Sequence, residues 1–211
     1  SINSDAIEWN INQINAPKVW NELGIDGTGV VVGMIDTGAD WTHETLKEKW
    51  RGYDSQNPEN PNPIGNWFDA VDNRQMPYDM LSVPHGTHVM GTILGRNPEG
   101  TEVIGVAPGA KWIAARAFTE DGGSESALLA CGEYMLAPAG DPSLAPDVIN
   151  NSWGGGPGIS EWFRPMVQAW RNAGIVPVFA AGNTSGGSVP GSVSSPRSEE
   201  HTSELQSHHD L

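Results

Sequence analysis

Residues 30–38 read VVVGMIDTG, and the fold follows from this stretch. A short apolar run, rich in β-branched side chains, follows the turn Asp26-Gly27-Thr28-Gly29 and ends on a carboxylate and a Thr-Gly turn. That pattern predicts a buried strand over 30–35. Similar runs at 112–118, 148–153 and 176–181 predict three more strands. Between them lie helical patterns. Residues 85–94 predict a helix opening at His85. Residues 124–136 open on a serine cap and place Leu128, Cys131 and Met135 on one face. Ile159, Trp162, Phe163, Met166, Val167 and Trp170 recur at the spacing of an amphipathic helix over 159–170, with Pro165 kinking its first turns. Strands alternating with helices predict an α/β fold built on a mostly parallel sheet. Ligands of such sheets bind beyond the carboxyl ends of the strands, and Asp36, Ser152 and Asn183 all fall there, on one rim.

The remainder of the chain sets the outer bounds. Its 211 residues suffice for one domain with a core of its own. A net charge of −15, with only 11 Lys and Arg, excludes nucleic acid as a partner because phosphates need cationic side chains. The one cysteine, Cys131, permits no internal disulfide. No apolar run approaches the roughly 18–20 residues that span a bilayer, so no membrane is expected as a partner. The chain opens on a polar, Asn-rich stretch rather than a basic and then apolar one, which reads as the start of a mature domain or a cut from a longer precursor. Residues 53–84, containing QNPENPNP, read as a surface excursion pinned by Trp67 and Phe68.

Four groups of residues carry chemistry. Asp36, at the end of a buried strand, can orient an imidazole, although the same residue also suits a plain turn. His85, in PHGTHV at a helix start, is followed by a glycine that leaves room for a substrate and an acidic partner. His88, three residues on, is assigned to structure; the HExxH spacing of a zinc helix is absent, so no metal is placed on these two histidines. Asn183, in VFAAGN, offers a side-chain amide to a developing oxyanion, or terminates a turn. The segment 150–156, NNSWGGG, presents bare backbone beside which a peptide can pair, or forms a flexible loop.

Taken in order, DTG, HGTHVMGT, GVAPGA, NNSWGGG and AAGN resemble the subtilisin-like serine proteases of the S8 family, and WNINQINAPKVW, APGAKWIAARAF and APDVINNSWGGG are similar to its bacillopeptidase F type. The resemblance runs from about Trp9 to Asn183. It implies a three-layer sandwich, and peptide-bond hydrolysis by an Asp-His-Ser triad. By the resemblance, Asp36 would be the triad carboxylate, His85 the general base and acid, and Asn183 the oxyanion donor. Ser152, Trp153 and Gly154 would form one wall of the primary specificity pocket, with Gly122, Gly123 and Ser124 as the opposite edge strand. It further implies protein or peptide substrates, secretion, and a propeptide in the full-length precursor.

The family's nucleophile lies in a GTSMA-like segment downstream of the asparagine, and none occurs here. Ser152 belongs to the pocket wall, and Ser194 and Ser195 stand in a polar loop. The expectation is therefore the N-terminal part of a peptidase domain over 1–196, with a sheet incomplete at the C-terminus and no activity of its own. Residues 197–211, RSEEHTSELQSHHDL, are expected to be a non-native tail, since RSEEHTSELQS resembles a translated sequencing adapter. The family often binds calcium, and Asp54, Glu59, Asp69, Asp72 and Asp79 are acidic enough to host it. They show no EF-hand spacing, however, and Thr45 stands where an Asp ligand is common, so a solvated acidic loop is expected instead. A non-catalytic peptide-binding homologue is the alternative. A nucleotide-binding protein is disfavoured because Gly27 and Gly29 precede the strand rather than follow it.

Overall fold

The computed structural model describes residues 7–80, 82, 84–155 and 161–183. Its centre is β1 (Val31–Asp36), which pairs in parallel with β3 (Lys111–Arg116) on one side and β6 (Val148–Asn151) on the other. Among the described residues β2 (Trp67–Asp69) pairs with β3 and β7 (Val176–Phe179) with β6, giving the order β2-β3-β1-β6-β7, all parallel. Because β1 is buried on both faces, it reads as a continuous apolar run rather than an alternating one.

Helices cover the two faces. On one side α4 (Glu125–Leu136) and α5 (Arg164–Asn172) pack Leu128, Cys131, Met135, Val167 and Trp170 against Ile35, Ile113 and Ile149. On the other side α3 (His85–Leu94) lays Met90 and Leu94 on Val32, Met34, Trp112 and Ala114. The result is the expected three-layer α/β sandwich. Two short helices, α1 (Trp9–Gln13) and α2 (Ala16–Leu23), form a satellite core of Ile11, Ala16 and Trp20 with Val103; the sequence pattern left both unassigned.

Ser124 caps α4 as expected, its hydroxyl accepting from the Ala127 amide at 3.1 Å. The helix expected over 159–170 starts later. A single 3₁₀ turn at Glu161–Phe163 leads into α5, where Pro165 occupies the first turn, a position with no amide to lose. Pro165 therefore begins the helix and does not kink it; Ile159 lies outside the described residues.

The largest correction concerns residues 53–84. Among the described residues, the stretch from Asp54 to Asn60 is a continuous exposed excursion, but much of the remainder is not. Trp67, Phe68 and Asp69 form the sheet's edge strand β2. Asp69 is buried and takes the backbone amides of Val71, Asp72 and Arg74 on its two oxygens. It also faces the buried Arg116 guanidinium, which bonds Asp72 at 2.6 Å. Asp79 is buried as well. The expected solvated acidic loop is thus a folded segment whose buried carboxylates are held by protein donors.

At the far edge, β7 buries Pro177 and Phe179 and exposes Val176 and Val178. No helix among the described residues is long and apolar enough to cross a membrane.

Trp170 is fully buried and its indole donates to the Gly132 carbonyl at 3.0 Å, joining α5 to α4. Trp170→Ala is expected to lower unfolding stability by about 3–5 kcal/mol, read by urea denaturation.

Candidate functional site

The polypeptide reverses its direction of travel across the sheet at β1, moving to β3 on one side and then to β6 on the other. The crevice beyond the carboxyl ends of β1 and β6 is the usual ligand position in such sheets. Asp36 is the last residue of β1, and Ser152 and Trp153 directly follow β6. Here lies a cleft of about 210 Å³, walled by Asp36, His85, Phe118, Gly122, Ser152 and Trp153 among others.

His85 reaches the cleft as the first residue of α3. Its Nδ1 donates to Asp36 Oδ1 at 2.7 Å, across 49 positions of sequence. The same oxygen accepts the Thr37 amide at 2.7 Å, while Oδ2 is buried without a hydrogen-bond partner among the described residues. The Asp36 side chain is 3% exposed and that of His85 47% exposed, so a dry carboxylate holds a half-open imidazole. The hydrogen bond to Asp36 raises the His85 pKa from its ordinary value; burial opposes this, and the charges of Asp36 and Asp79 add to it. With Nδ1 engaged, Nε2 is the nitrogen left to take and return a proton.

Close backbone approach makes this pairing possible. A Cβ on Gly86 would stand 1.9 Å from the Gly38 carbonyl oxygen, and one on Gly38, where φ is +125°, would stand 1.8 Å from that of Tyr78. The glycines after Asp36 and His85 let three backbone segments meet where side chains could not fit.

The other expected residues are distributed as follows. Gly122 and Gly123 form β5, paired antiparallel with β4 (Phe118–Thr119), and Gly122 lines the cleft. Ser124 is engaged in capping α4. Trp153 is anchored against Phe118, Phe163 and Phe179, with ring centroids 5.2–6.1 Å away. Gly154 is exposed, as is Asn183, four residues beyond β7; neither is among the residues lining the cleft. Gly156, Ser194, Ser195 and the tail from Arg197 lie outside the described residues.

His88, assigned to structure, is exposed and faces a larger hollow of about 780 Å³ beside Trp41, His43 and Tyr78. That hollow excludes both Asp36 and His85, which line the smaller cleft. No group of three His, Cys, Asp or Glu among the described residues could hold a metal ion. Thr45, for its part, is buried and bonds His43 Nδ1 at 3.0 Å.

Sequence reasoning missed several residues at this site. Thr37, Phe118, Thr119 and Glu120 line the cleft, and Thr37 and Thr87 both hydrogen-bond the buried Asp79. The only sequence signal for the network was the threonine in each of DTG and HGTH.

The fold and the cleft are those of a subtilase: the family model, described as the subtilase family, matches residues 27–205, and the chain belongs to that family. Among its relatives, Bacillopeptidase F of Bacillus subtilis (strain 168) is 55% identical over 202 residues, covering 92% of this chain and 14% of that protein. The extracellular basic protease of Dichelobacter nodosus is 36% identical over 192 residues, covering 81% of this chain and 31% of its own length. Subtilisin E of Bacillus subtilis (strain 168) is 32% identical over 181 residues, covering 85% and 41%. The chain thus spans well under half of each of these relatives.

A raised folded-state pKa means that the imidazolium is favoured by folding. The pair's contribution to stability is therefore complete below the unfolded histidine value of 6.5 and is lost as pH rises through the raised folded value. Asp36→Asn is expected to lower the His85 titration midpoint in NMR, and the stability gap between the two proteins should narrow from pH 6.5 upward.

Proposed function

We propose that this chain is the N-terminal part, residues 1–196, of the peptidase domain of a secreted serine endopeptidase, and that residues 197–211 are not native to it. The observation that carries the reading is the 2.7 Å contact between His85 Nδ1 and Asp36 Oδ1 at the mouth of the cleft. Asp36 fixes the imidazole's tautomer and stabilises the imidazolium. His85 Nε2 takes the proton of a serine hydroxyl and later returns it to the leaving amine. The serine would come from native sequence downstream of Pro196, in the GTSMA-like segment that the resemblance places after the asparagine. Asn183 donates its amide to the tetrahedral oxyanion once that part of the domain is complete.

Substrate lies extended between the β4–β5 hairpin and the Ser152–Trp153–Gly154 backbone, pairing main chain to main chain. The Cβ position of Gly122 is open space, which leaves that edge accessible to a peptide. The anchored Trp153 ring gives the primary pocket a rigid apolar wall. A propeptide precedes the domain in the precursor. The names of two relatives support secretion and peptide substrates, one being an extracellular basic protease and the other a subtilisin.

The intact parent is expected to hydrolyse casein and to be inactivated by serine-directed phosphonylating reagents. His85→Ala should cost about 10⁶-fold in kcat, the loss seen for the histidine of a subtilisin. Asn183→Ala should cost about 10²–10³-fold, as loss of the oxyanion donor does in a subtilisin. Full turnover by the His85→Ala enzyme would overturn the reading. The purified 211-residue chain is expected to give no hydrolysis; turnover by it would mean that a serine within these residues is the nucleophile.

A further inference from the structure

We propose that Asp79 is a positioning residue, whose buried carboxylate locks the turn after Asp36 to the first turn of the helix carrying His85 and so fixes the separation of that pair. The proposal rests on the protease reading of the pair and adds to it a residue outside both motifs.

Asp79 is 5% exposed, and both of its oxygens are fully used. Oδ1 accepts from Thr37 Oγ1 at 2.7 Å and from the Met80 amide at 2.8 Å. Oδ2 accepts from the Thr87 amide at 2.7 Å and from Thr87 Oγ1 at 2.5 Å. Each threonine hydroxyl that donates to Asp79 in turn accepts a backbone amide from the opposite segment. Thr37 Oγ1 takes the amide of Gly86, and Thr87 Oγ1 takes that of Asp40, both at 2.9 Å. Two relays therefore cross: Gly86 to Thr37 to Asp79, and Asp40 to Thr87 to Asp79.

Thr37 follows Asp36 directly, and Gly86 and Thr87 follow His85 directly. The residue after Asp36 is thus tied to one carboxylate through its hydroxyl, and the two after His85 are tied to the same carboxylate, Gly86 through Thr37 and Thr87 directly. A carboxylate is required because all of its partners are donors. An asparagine at 79 would set its own N–H₂ against one of those N–H groups and leave it unpaired. Burying this anion with charge-assisted bonds on both oxygens makes the arrangement stiff. The relays also give each motif threonine a specific task.

The charged groups around His85 are Asp36 at the end of β1, Asp79 on the segment before α3, and Glu120 in the β4–β5 turn that shares the cleft. Asp79 adds to the rise in the His85 pKa through its charge, so positioning must be separated from charge alone.

Imidazole ¹⁵N shifts on the 211-residue chain make that separation, since they report both tautomer and titration midpoint without any turnover. In the unsubstituted chain, neutral His85 is expected mainly as the Nδ1–H tautomer. Asp79→Asn should move it toward Nε2–H and lower the midpoint. Thr87→Val, which keeps the Asp79 charge and removes one relay, should also move the tautomer, and Thr87→Ser should restore it. A folded Asp79→Asn chain with the tautomer unmoved overturns the proposal, whether or not the midpoint falls. If Asp79→Asn does not fold, the Thr87 pair decides: an unmoved tautomer in Thr87→Val overturns it, and loss in Val with recovery in Ser supports it. An Nε2–H tautomer in the unsubstituted chain would instead sink the Asp36–His85 pairing itself.

Discussion

Asp36 ends the central strand with its carboxylate out of water, where an unpartnered anion would be strongly disfavoured. The Thr37 amide and the His85 imidazole, both on one oxygen at 2.7 Å, make the charge tolerable there. That requirement reaches outward. The helix start must sit against the end of β1, so Gly38 and Gly86 must lack side chains. The segment from Tyr78 to Met80 must pass close enough for its backbone and for Asp79 to join the contact. The parallel sheet supplies the fixed edge against which all of this is measured, with β1 held from both sides by β3 and β6.

The segment between β1 and α3 serves the same end from further away. Its strand β2 widens the sheet by one position, and the buried Asp69–Arg116 contact ties the end of β2 to the end of β3. Breaking such a pair from one side would leave an uncompensated charge in the interior, a loss of about 3–5 kcal/mol. Arg74 and Arg116 both lie near the Tyr78 ring, 3.8 and 5.5 Å from its centroid, and Tyr78 directly precedes Asp79. The anchoring of β2 and the positioning of the Asp36–His85 pair are therefore parts of one folded stretch.

Much of this was legible in the sequence, for physical reasons that differ from place to place. Strands β1 and β3 announce themselves because burial on both faces demands unbroken apolar runs, β6 and β7 as shorter apolar runs, and α3 and α4 because a glycine-flanked histidine and a serine cap mark their starts. Strand β2 was hidden because three residues, Trp67 to Asp69, carry no period and sit in an Asn- and Pro-rich stretch. Asp79 was hidden differently. Its residue type fitted a solvated or cation-binding loop equally well, and its hydroxyl partner Thr37 lies 42 positions away. Pairings across such separations are set by tertiary packing, to which local pattern is blind. Asp36 and His85 escaped this only because their motifs are distinctive as a set.

The strand order has a further bearing on how the chain is made. Val31 pairs with Lys111 and Val32 with Val148, so the earliest of the described strands of this sheet is also the one flanked on both sides by much later ones. At a synthesis rate of about 5–20 residues per second, its valines wait several seconds for their neighbours. During that interval the central strand is a bare apolar ribbon with both edges unpaired, the form most readily captured by another nascent chain. Yield in a heterologous host should then depend less on the stability of the finished sandwich than on what shelters residues 31–36 before residue 151 has emerged.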